Sequence, residues 1–165
     1  MPRLLPPAGA ASVLRHQPEL ERAFFRLYAA LWASPIVDPV TKELLRLRNA
    51  RITDCGYCRS VRFAVARQAG RGEAQVEAFN ADADAAALTP RQRLAVRWAD
   101  AFLADPASLA PALRAPMLKA FTPAAIVELS TALALFMGFS KIAVALGPPP
   151  RDLPVSVVPV PAVPD

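Results

Sequence analysis

Two cysteines, Cys55 and Cys58, stand three residues apart and are the chain's full complement of thiols. On a helix, residues at this spacing have Cα atoms about 5 Å apart, which suits a disulfide that forms without backbone movement. The pair follows Thr53 and Asp54, so the pattern places it at a helix N-terminus, where unpaired N–H groups stabilise a thiolate. Because thiolates attack both peroxides and disulfides, the spacing predicts a reversible dithiol centre.

Other uses of a cysteine pair fit this sequence less well. A structural zinc site usually needs four Cys or His ligands, and the chain offers Cys55, Cys58 and His16. Covalent haem needs a His directly after the second Cys, where this chain has Arg59. Two inert cysteines on a buried apolar face remain an alternative, because free Cys is often buried. We expect no metal and no cofactor.

Positive charge is concentrated around the cysteines. Between residues 42 and 71 there are eight basic and two acidic residues, a net charge of +6, whereas the whole chain carries +5. Arg62 follows Cys58 by four residues, one turn along the same face of a continuous helix, where a guanidinium would lower the thiol pKa. For Arg46, Arg67 and Arg71 we expect a solvent-exposed basic face.

A nucleic-acid partner is not predicted from this charge. Such a surface normally interleaves aromatic residues or Gly with the basic residues, or presents a recognisable DNA-binding helix pair. Tyr57 and Phe63 are the aromatic residues in the basic stretch. The charge therefore favours a role at the thiols.

The rest of the chain predicts an all-α protein. A length of 165 residues indicates one domain, and no segment shows strand alternation of useful length. Capping residues precede Pro at 38–39, 89–90 and 122–123, as at helix starts. Six helices are expected at about 18–31, 40–47, 55–69, 73–80, 90–103 and 123–146, and an uncertain seventh near 108–119. We assign an extended N-terminal arm to 1–16, the helical domain to 17–147 and a Pro-rich tail to 148–165.

The most apolar segment, residues 124–146, is long enough to raise the question of a membrane span. It contains polar and charged residues, namely Glu128, Ser130, Thr131, Ser140 and Lys141. We interpret it as a helix buried in the core or in an oligomer interface, and we expect no membrane partner. The first seven residues contain three prolines and no export signal, so the expected location is a reducing cytoplasm.

The segment from Glu43 to Gly70, ELLRLRNARITDCGYCRSVRFAVARQAG, resembles the core of the carboxymuconolactone decarboxylase / alkylhydroperoxidase D-like family. Redox members of that family carry a Glu, eleven residues, CxxC, three residues and then a His. Glu43 precedes Cys55 by the matching interval. A weaker likeness extends from Pro18 to the segment at 136–139.

This resemblance implies an all-α oligomer, a dimer, trimer or hexamer, that reduces peroxides or exchanges disulfides. By matching positions, Cys58 would be oxidised to a sulfenic acid and Cys55 would donate a proton and then close the disulfide. Glu43 would belong to the proton relay; the alternative is a helix-start carboxylate that balances Lys42 and Arg46. A dithiol or protein electron donor would regenerate the pair.

The chain departs from the family pattern at one position, where Arg62 replaces the relay His. Arginine stays protonated, so Arg62 cannot accept a proton from Cys58, although it could hold a thiolate by charge or pair with Glu43. We therefore expect a modified or weakened peroxidase. Two other hypotheses stay open: a lactone decarboxylase-like lyase, and a non-catalytic helical oligomer.

Overall fold

Eight α-helices and one pair of short strands form the described part of the computed structural model, residues 13–82, 87–108, 111–146 and 153–162. The helices are α1 (Pro18–Ala33), α2 (Pro39–Ile52), α3 (Gly56–Ser60), α4 (Ala64–Gln68), α5 (Glu73–Ala81), α6 (Pro90–Ala104), α7 (Pro111–Ala120) and α8 (Pro123–Leu146). The strands are β1 (Val61–Phe63) and β2 (Ser156–Val158), and 3₁₀ turns cover Val13–His16 and Pro106–Ser108. The predicted all-α fold class is confirmed.

The predicted capping residues begin three of the helices. Asp38 accepts a hydrogen bond from the Thr41 N–H at 2.8 Å at the start of α2, and Thr89 accepts from the Gln92 N–H at 3.2 Å at the start of α6. Thr122 accepts from the N–H of the third residue of α8 at 3.2 Å. In each case the next residue is Pro, whose missing N–H costs nothing in a first turn.

Helix α2 is the central element, since it packs against both α8 and α6. Leu44, Leu45 and Leu47 are fully buried along it. On one side, Trp32 of α1 lies with its ring 4.8 Å from the ring of Phe63 in β1. The aromatic core therefore reaches the strand that directly follows the cysteine segment.

The expected continuous helix from residue 55 to residue 69 is wrong in its middle. Helix α3 ends at Ser60, the chain is extended over Val61–Phe63, and α4 then runs to Gln68. The expected stop at Gly70 does occur, with a φ of +98° that Gly adopts without a Cβ clash. The break raises the helix count to eight, and its cause is tertiary: β1 pairs with a strand that is distant in the sequence.

That partner strand corrects the expectation that no strands form. β2 lies parallel to β1, with Val61 opposite Ser156 and Phe63 opposite Val158. Val158 and Val160 pack against the main core. This part of the Pro-rich tail therefore lies on its own chain, whereas residues 1–12 of the predicted arm lie outside the described residues.

One face of helix α8 contributes to the core of the bundle. Its 24 residues and a mean hydropathy of 1.8 in its most apolar window would allow a membrane span by length and composition, a test that core helices also pass. However, Glu128 in α8 accepts a salt bridge from the buried Lys42 at 2.9 Å. Lys42 also donates to the carbonyls of Leu31 and Ser34, both at 2.7 Å. A buried ammonium with three oxygen partners links α8 to α1 and α2, so the apolar character of α8 does not indicate a membrane protein.

Candidate functional site

The two cysteines form a disulfide, with Cα atoms 5.3 Å apart. Helix α2 ends in a turn in which Asp54 has a φ of +49°, in the left-handed region, and the Cys55 N–H returns to the carbonyl of Ala50 at 3.0 Å. This turn makes Cys55 the residue before α3, where its Sγ accepts the N–H of Cys58 at 3.3 Å. The predicted dithiol geometry is therefore present at the start of a five-residue helix.

The two cysteines differ in exposure. Cys55 has an exposed fraction of 0 %, whereas Cys58 is partly exposed and its neighbour Tyr57 is 55 % exposed. A reactant that arrives from solvent therefore meets Cys58 before Cys55.

Glu43 lies beneath the cysteine segment in a buried ion pair with Arg46. Arg46 Nε and one terminal nitrogen each donate to a carboxylate oxygen of Glu43 at 2.7 Å, and the two side chains are 1 % and 5 % exposed. Burial alone would lower the pKa of Arg46, but the charge and hydrogen bonds of Glu43 outweigh it, so that pKa is raised.

The same Arg46 guanidinium holds the backbone that follows the cysteines. It donates to the carbonyls of Cys58 and Val61, both at 2.6 Å, and lies 5.1 Å from the centre of the Phe63 ring. Glu43 accepts the Phe63 N–H at 3.4 Å. Carbonyls at the C-terminal end of a helix lack intrahelical hydrogen-bond donors. Arg46 supplies the missing donors to α3 and so stabilises the end of this short helix.

Arg62 is hydrogen-bonded to groups other than Cys58, the neighbour that a continuous helix would have given it. Its guanidinium forms a salt bridge with Glu73 of α5 at 2.7 Å and donates to the carbonyls of Arg59 and Val61. The reason is the extended backbone of β1, in which the four-residue helical spacing no longer applies. Pairing with Glu43 is also wrong, because Arg46 occupies that carboxylate.

Two residues that the sequence analysis did not assign to the site lie against Cys58. Ser140 Oγ of α8 is 3.2 Å from Cys58 Sγ, and Asn49 Nδ2 of α2 donates to Ser140 Oγ at 2.9 Å. Both side chains are buried. The available signal was a lone Asn near the end of α2, a poor helix former there, and a Ser in the most apolar helix.

Half of the basic residues in the stretch from 42 to 71 are internal. Besides Arg46 and Arg62, Lys42 and Arg71 are also buried, at 0 % and 6 % exposure, so the expected solvent-exposed face is wrong for Arg46 and Arg71 and confirmed for Arg67. Burial lowers the pKa of Arg71, and the charge of Glu43 offsets this in part. Half of the local positive charge is therefore inside the fold.

The described residues offer no cluster of metal ligands. Within residues 13–82, 87–108, 111–146 and 153–162, no three His, Cys, Asp or Glu side chains are grouped so that they could hold a metal ion, and His16 is exposed. A cleft of about 220 Å³ is lined in part by Arg48, Arg51 and Arg97. None of the four predicted site residues lines this cleft.

Comparison with known proteins supports the family resemblance and the helical fold. The model of the carboxymuconolactone decarboxylase family matches residues 18–101, just over half of the chain, and the match contains Glu43 and both cysteines. The chain belongs to the carboxymuconolactone decarboxylase family. Two uncharacterized proteins of Mycobacterium tuberculosis, Rv2313c of strain H37Rv and MT2376 of strain CDC 1551, are each 33 % identical to it over 136 residues, 80 % of this chain.

The chain spans 46 % of the length of each of these two relatives. A solved structure from Agrobacterium tumefaciens, ATU0492, is similar in fold, with a TM-score of 0.71 over 82 % of this chain and 93 % of that one. ATU0492 is described as a protein of unknown function and a candidate antioxidant defence protein, AhpD. At 18 % identity, this likeness shows the fold of the chain and nothing about its activity.

Proposed function

We propose that this member of the carboxymuconolactone decarboxylase family is a thiol-dependent oxidoreductase that reduces peroxides, or exchanges disulfides, through Cys55 and Cys58. The observation that carries the proposal is the pairing of a fully buried cysteine with a partly exposed one across a 5.3 Å Cα separation. In such a pair, a peroxide from solvent can oxidise the more exposed Cys58, and the buried Cys55 can then close the disulfide.

In the peroxide reaction, the Cys58 thiolate attacks one oxygen of a hydroperoxide. The O–O bond breaks, the oxygen bound to sulfur gives a sulfenic acid, and the other oxygen takes the proton of the Cys55 thiol and leaves as an alcohol or water. The resulting Cys55 thiolate attacks the Cys58 sulfur, forms the S–S bond and displaces hydroxide, which takes up a proton from solvent to give water. Two electrons have passed from the two thiols to the peroxide.

The disulfide is reduced again by exchange with a dithiol or a protein electron donor. A donor thiolate attacks the sulfur that it can reach, which is Cys58, so Cys55 leaves as a thiolate and takes up a proton. A second donor thiol then releases Cys58 and becomes part of the donor's own disulfide. The same route allows disulfide exchange without peroxide.

The charged side chains around the cysteines hold the backbone that follows Cys58 and are not placed to transfer protons in the reaction. Glu43 makes two hydrogen bonds to Arg46 and accepts the Phe63 N–H, and Arg62 is engaged with Glu73. Because Arg62 stands where the resembling redox proteins carry a His, the chain lacks a general base there. Such a base typically contributes about 100-fold or more in rate, so the peroxidase reaction is expected to be slow.

The proposed setting is a reducing cytoplasm, in which a dithiol donor is available. We also propose assembly as a homo-oligomer. Only 28 % of the apolar window of α8 is buried within one chain, and Val127 of α8 and Leu20 of α1 are 65 % and 62 % exposed. These side chains would be covered by further copies of the chain.

Peroxide titration of the reduced protein tests the function. Hydrogen peroxide or an alkyl hydroperoxide is added, its consumption is followed, and the products are mapped by mass. We expect a bond between Cys55 and Cys58 with one peroxide consumed per dithiol. Cys55→Ser should stop at a sulfenic acid on Cys58, and Cys58→Ser should consume no peroxide.

The matched outcomes separate the alternatives. Over-oxidation of Cys58 without formation of the disulfide would overturn the proposed dithiol cycle. A lactone decarboxylase-like activity that survives replacement of both cysteines by Ser would identify a lyase. Absence of peroxide consumption and of disulfide exchange in the reduced native chain would leave the non-catalytic oligomer.

A further inference from the structure

We infer that the Ser140 hydroxyl, oriented by Asn49, is the hydrogen-bond donor to the reacting sulfur of Cys58. This inference concerns the same dithiol centre and rests on the proposed function for its catalytic meaning. It assigns a role to residues of α8 and α2 that lie outside the CxxC segment. Ser140 touches the reacting sulfur directly, whereas Asn49 acts through Ser140 as a positioning residue.

The direction of the hydrogen bond follows from the oxidised state. In a disulfide, the sulfur of Cys58 carries no hydrogen, so the 3.2 Å contact to Ser140 Oγ requires the hydroxyl to donate. The Asn49 amide donates to the same Oγ at 2.9 Å, which occupies an acceptor position of the hydroxyl and leaves its hydrogen free to point at sulfur. The three groups therefore form a directed chain from Asn49 through Ser140 to Cys58.

Burial strengthens the hydrogen bond from Ser140 to Cys58, and it also leaves one polar atom of Asn49 without a partner in the described part of the chain, which is destabilising. Ser140 is 2 % exposed and Asn49 is 0 % exposed, so the donor works where water competes little. Asn49 Oδ1 is buried and has no hydrogen-bond partner among the described residues. Two apolar residues at these positions would avoid that unpaired oxygen, and they would also remove the donor at Cys58.

The donor matters most when Cys58 is reduced. A thiolate carries a full negative charge, and hydrogen bonds to charged groups are stronger than those between neutral groups. Ser140 therefore stabilises the Cys58 thiolate relative to the thiol. Arg62 donates its hydrogen bonds to Glu73 and two backbone carbonyls, so the neutral hydroxyl performs a task that the sequence pattern had suggested for a guanidinium.

The test is the pH dependence of Cys58 alkylation by iodoacetamide in reduced protein that carries Cys55→Ser. We expect Ser140→Ala to raise the thiol pKa of Cys58 by about one unit, equivalent to about tenfold less thiolate below the pKa. Ser140→Thr keeps the hydroxyl and should stay near the parent, whereas Ser140→Val has the shape of Thr without the donor and should match Ser140→Ala. Asn49→Ala should produce a smaller rise, because the hydroxyl is then present but less well oriented.

Ser130→Ala is the matched control on the same helix. Ser130 donates to the Ile126 carbonyl at 2.8 Å and accepts from Trp98 at 3.3 Å, so its loss removes a hydroxyl from α8 without touching sulfur. Its thiol pKa should equal that of the parent. An unchanged pKa in Ser140→Ala and Ser140→Val, in whichever of the two keeps the native circular dichroism spectrum, would overturn the inference.

The alkylation test is independent of turnover. A shifted pKa together with no peroxide consumption by the native chain would refute the proposed peroxidase and retain Ser140 as the donor. Normal peroxide consumption together with no shift would refute the donor role and retain the peroxidase. If both hold, the rate of Cys58 oxidation below neutral pH should fall by about tenfold in Ser140→Ala, in step with the thiolate fraction.

Discussion

Two regions that meet at Cys58 use opposite chemistry. Beneath the cysteine segment lies an ionic layer, which we define as Glu43, Arg46, Arg62 and Glu73, and it binds the backbone of β1 and the end of α3. The sulfur itself is contacted by a neutral hydroxyl and, through it, an amide. Charged side chains thus hold the backbone, whereas a neutral donor contacts the sulfur whose redox state changes in the proposed cycle.

The difference has a physical reason. A buried charge must keep its partners at all times, because an unpaired ion in a low-dielectric interior is strongly destabilising. The backbone carbonyls and carboxylates of the ionic layer are constant partners. In the proposed cycle the sulfur of Cys58 alternates between neutral and negative states, and a hydroxyl tolerates both without becoming an unpaired ion.

The largest expected effect comes from Glu43→Gln, which leaves the buried Arg46 without its counter-charge. We expect the free energy of unfolding to fall by about 3–5 kcal/mol, as measured by urea denaturation. Asp100→Asn is the matched control, since the Arg48–Asp100 pair is 30 % and 39 % exposed and its loss should cost less than about 1 kcal/mol. An equal fall in the free energy of unfolding of the two variants would show that the ionic layer stabilises the fold no more than an exposed ion pair does.

The next effect is a loss of stability at high pH that involves the neighbour of the ionic layer, Tyr28. Burial raises the pKa of Tyr28 from 10.0 to about 12. Because the folded pKa lies above the unfolded one, the contribution is complete below about pH 10 and is lost as pH rises towards 12, a change of about 2–3 kcal/mol. Stability curves at pH 9 to 12 should show this decline, and Tyr28→Phe should flatten it; an equal decline in that variant would assign it to other groups.

Arg62→Met separates the two regions most directly. It removes the salt bridge to Glu73, whose side chain is 28 % exposed, and we expect a loss of about 1–2 kcal/mol after allowance for solvent screening. The Cys58 alkylation profile should change much less than in Ser140→Ala, because Arg62 is not bonded to the sulfur. A larger pKa change in Arg62→Met than in Ser140→Ala would reverse the comparison.

The smallest effect on stability is expected for Asp54→Asn, at the solvent-exposed turn before Cys55. The Asp54–Arg59 pair is exposed on both sides, at 57 % and 41 %, with a separation of 3.2 Å, and Asn adopts the left-handed backbone conformation of residue 54 readily. The melting temperature should therefore shift by no more than the equivalent of about 0.5 kcal/mol. A larger loss would extend the ionic layer to the solvent-facing side of the cysteine turn.

Local sequence determined much of the molecule. Proline after a capping residue begins α2, α6 and α8 at the expected residues because the cap and its helix are neighbours in the chain. The spacing of Cys55 and Cys58 similarly determined that a disulfide could close, since three residues of one helical turn suffice. The Glu43-to-Cys55 interval carried the family assignment for the same reason: it lies within one continuous segment.

Only the tertiary structure decided which groups meet Cys58. The pairing of β1 with β2 joins residues about 95 positions apart, and this pairing breaks the expected helix and turns Arg62 towards Glu73. Ser140 reaches Cys58 because α8 packs along α2, across 82 residues of sequence. Periodicity describes one segment at a time, whereas the energy of a buried charge or donor depends on whatever distant segment is packed against it.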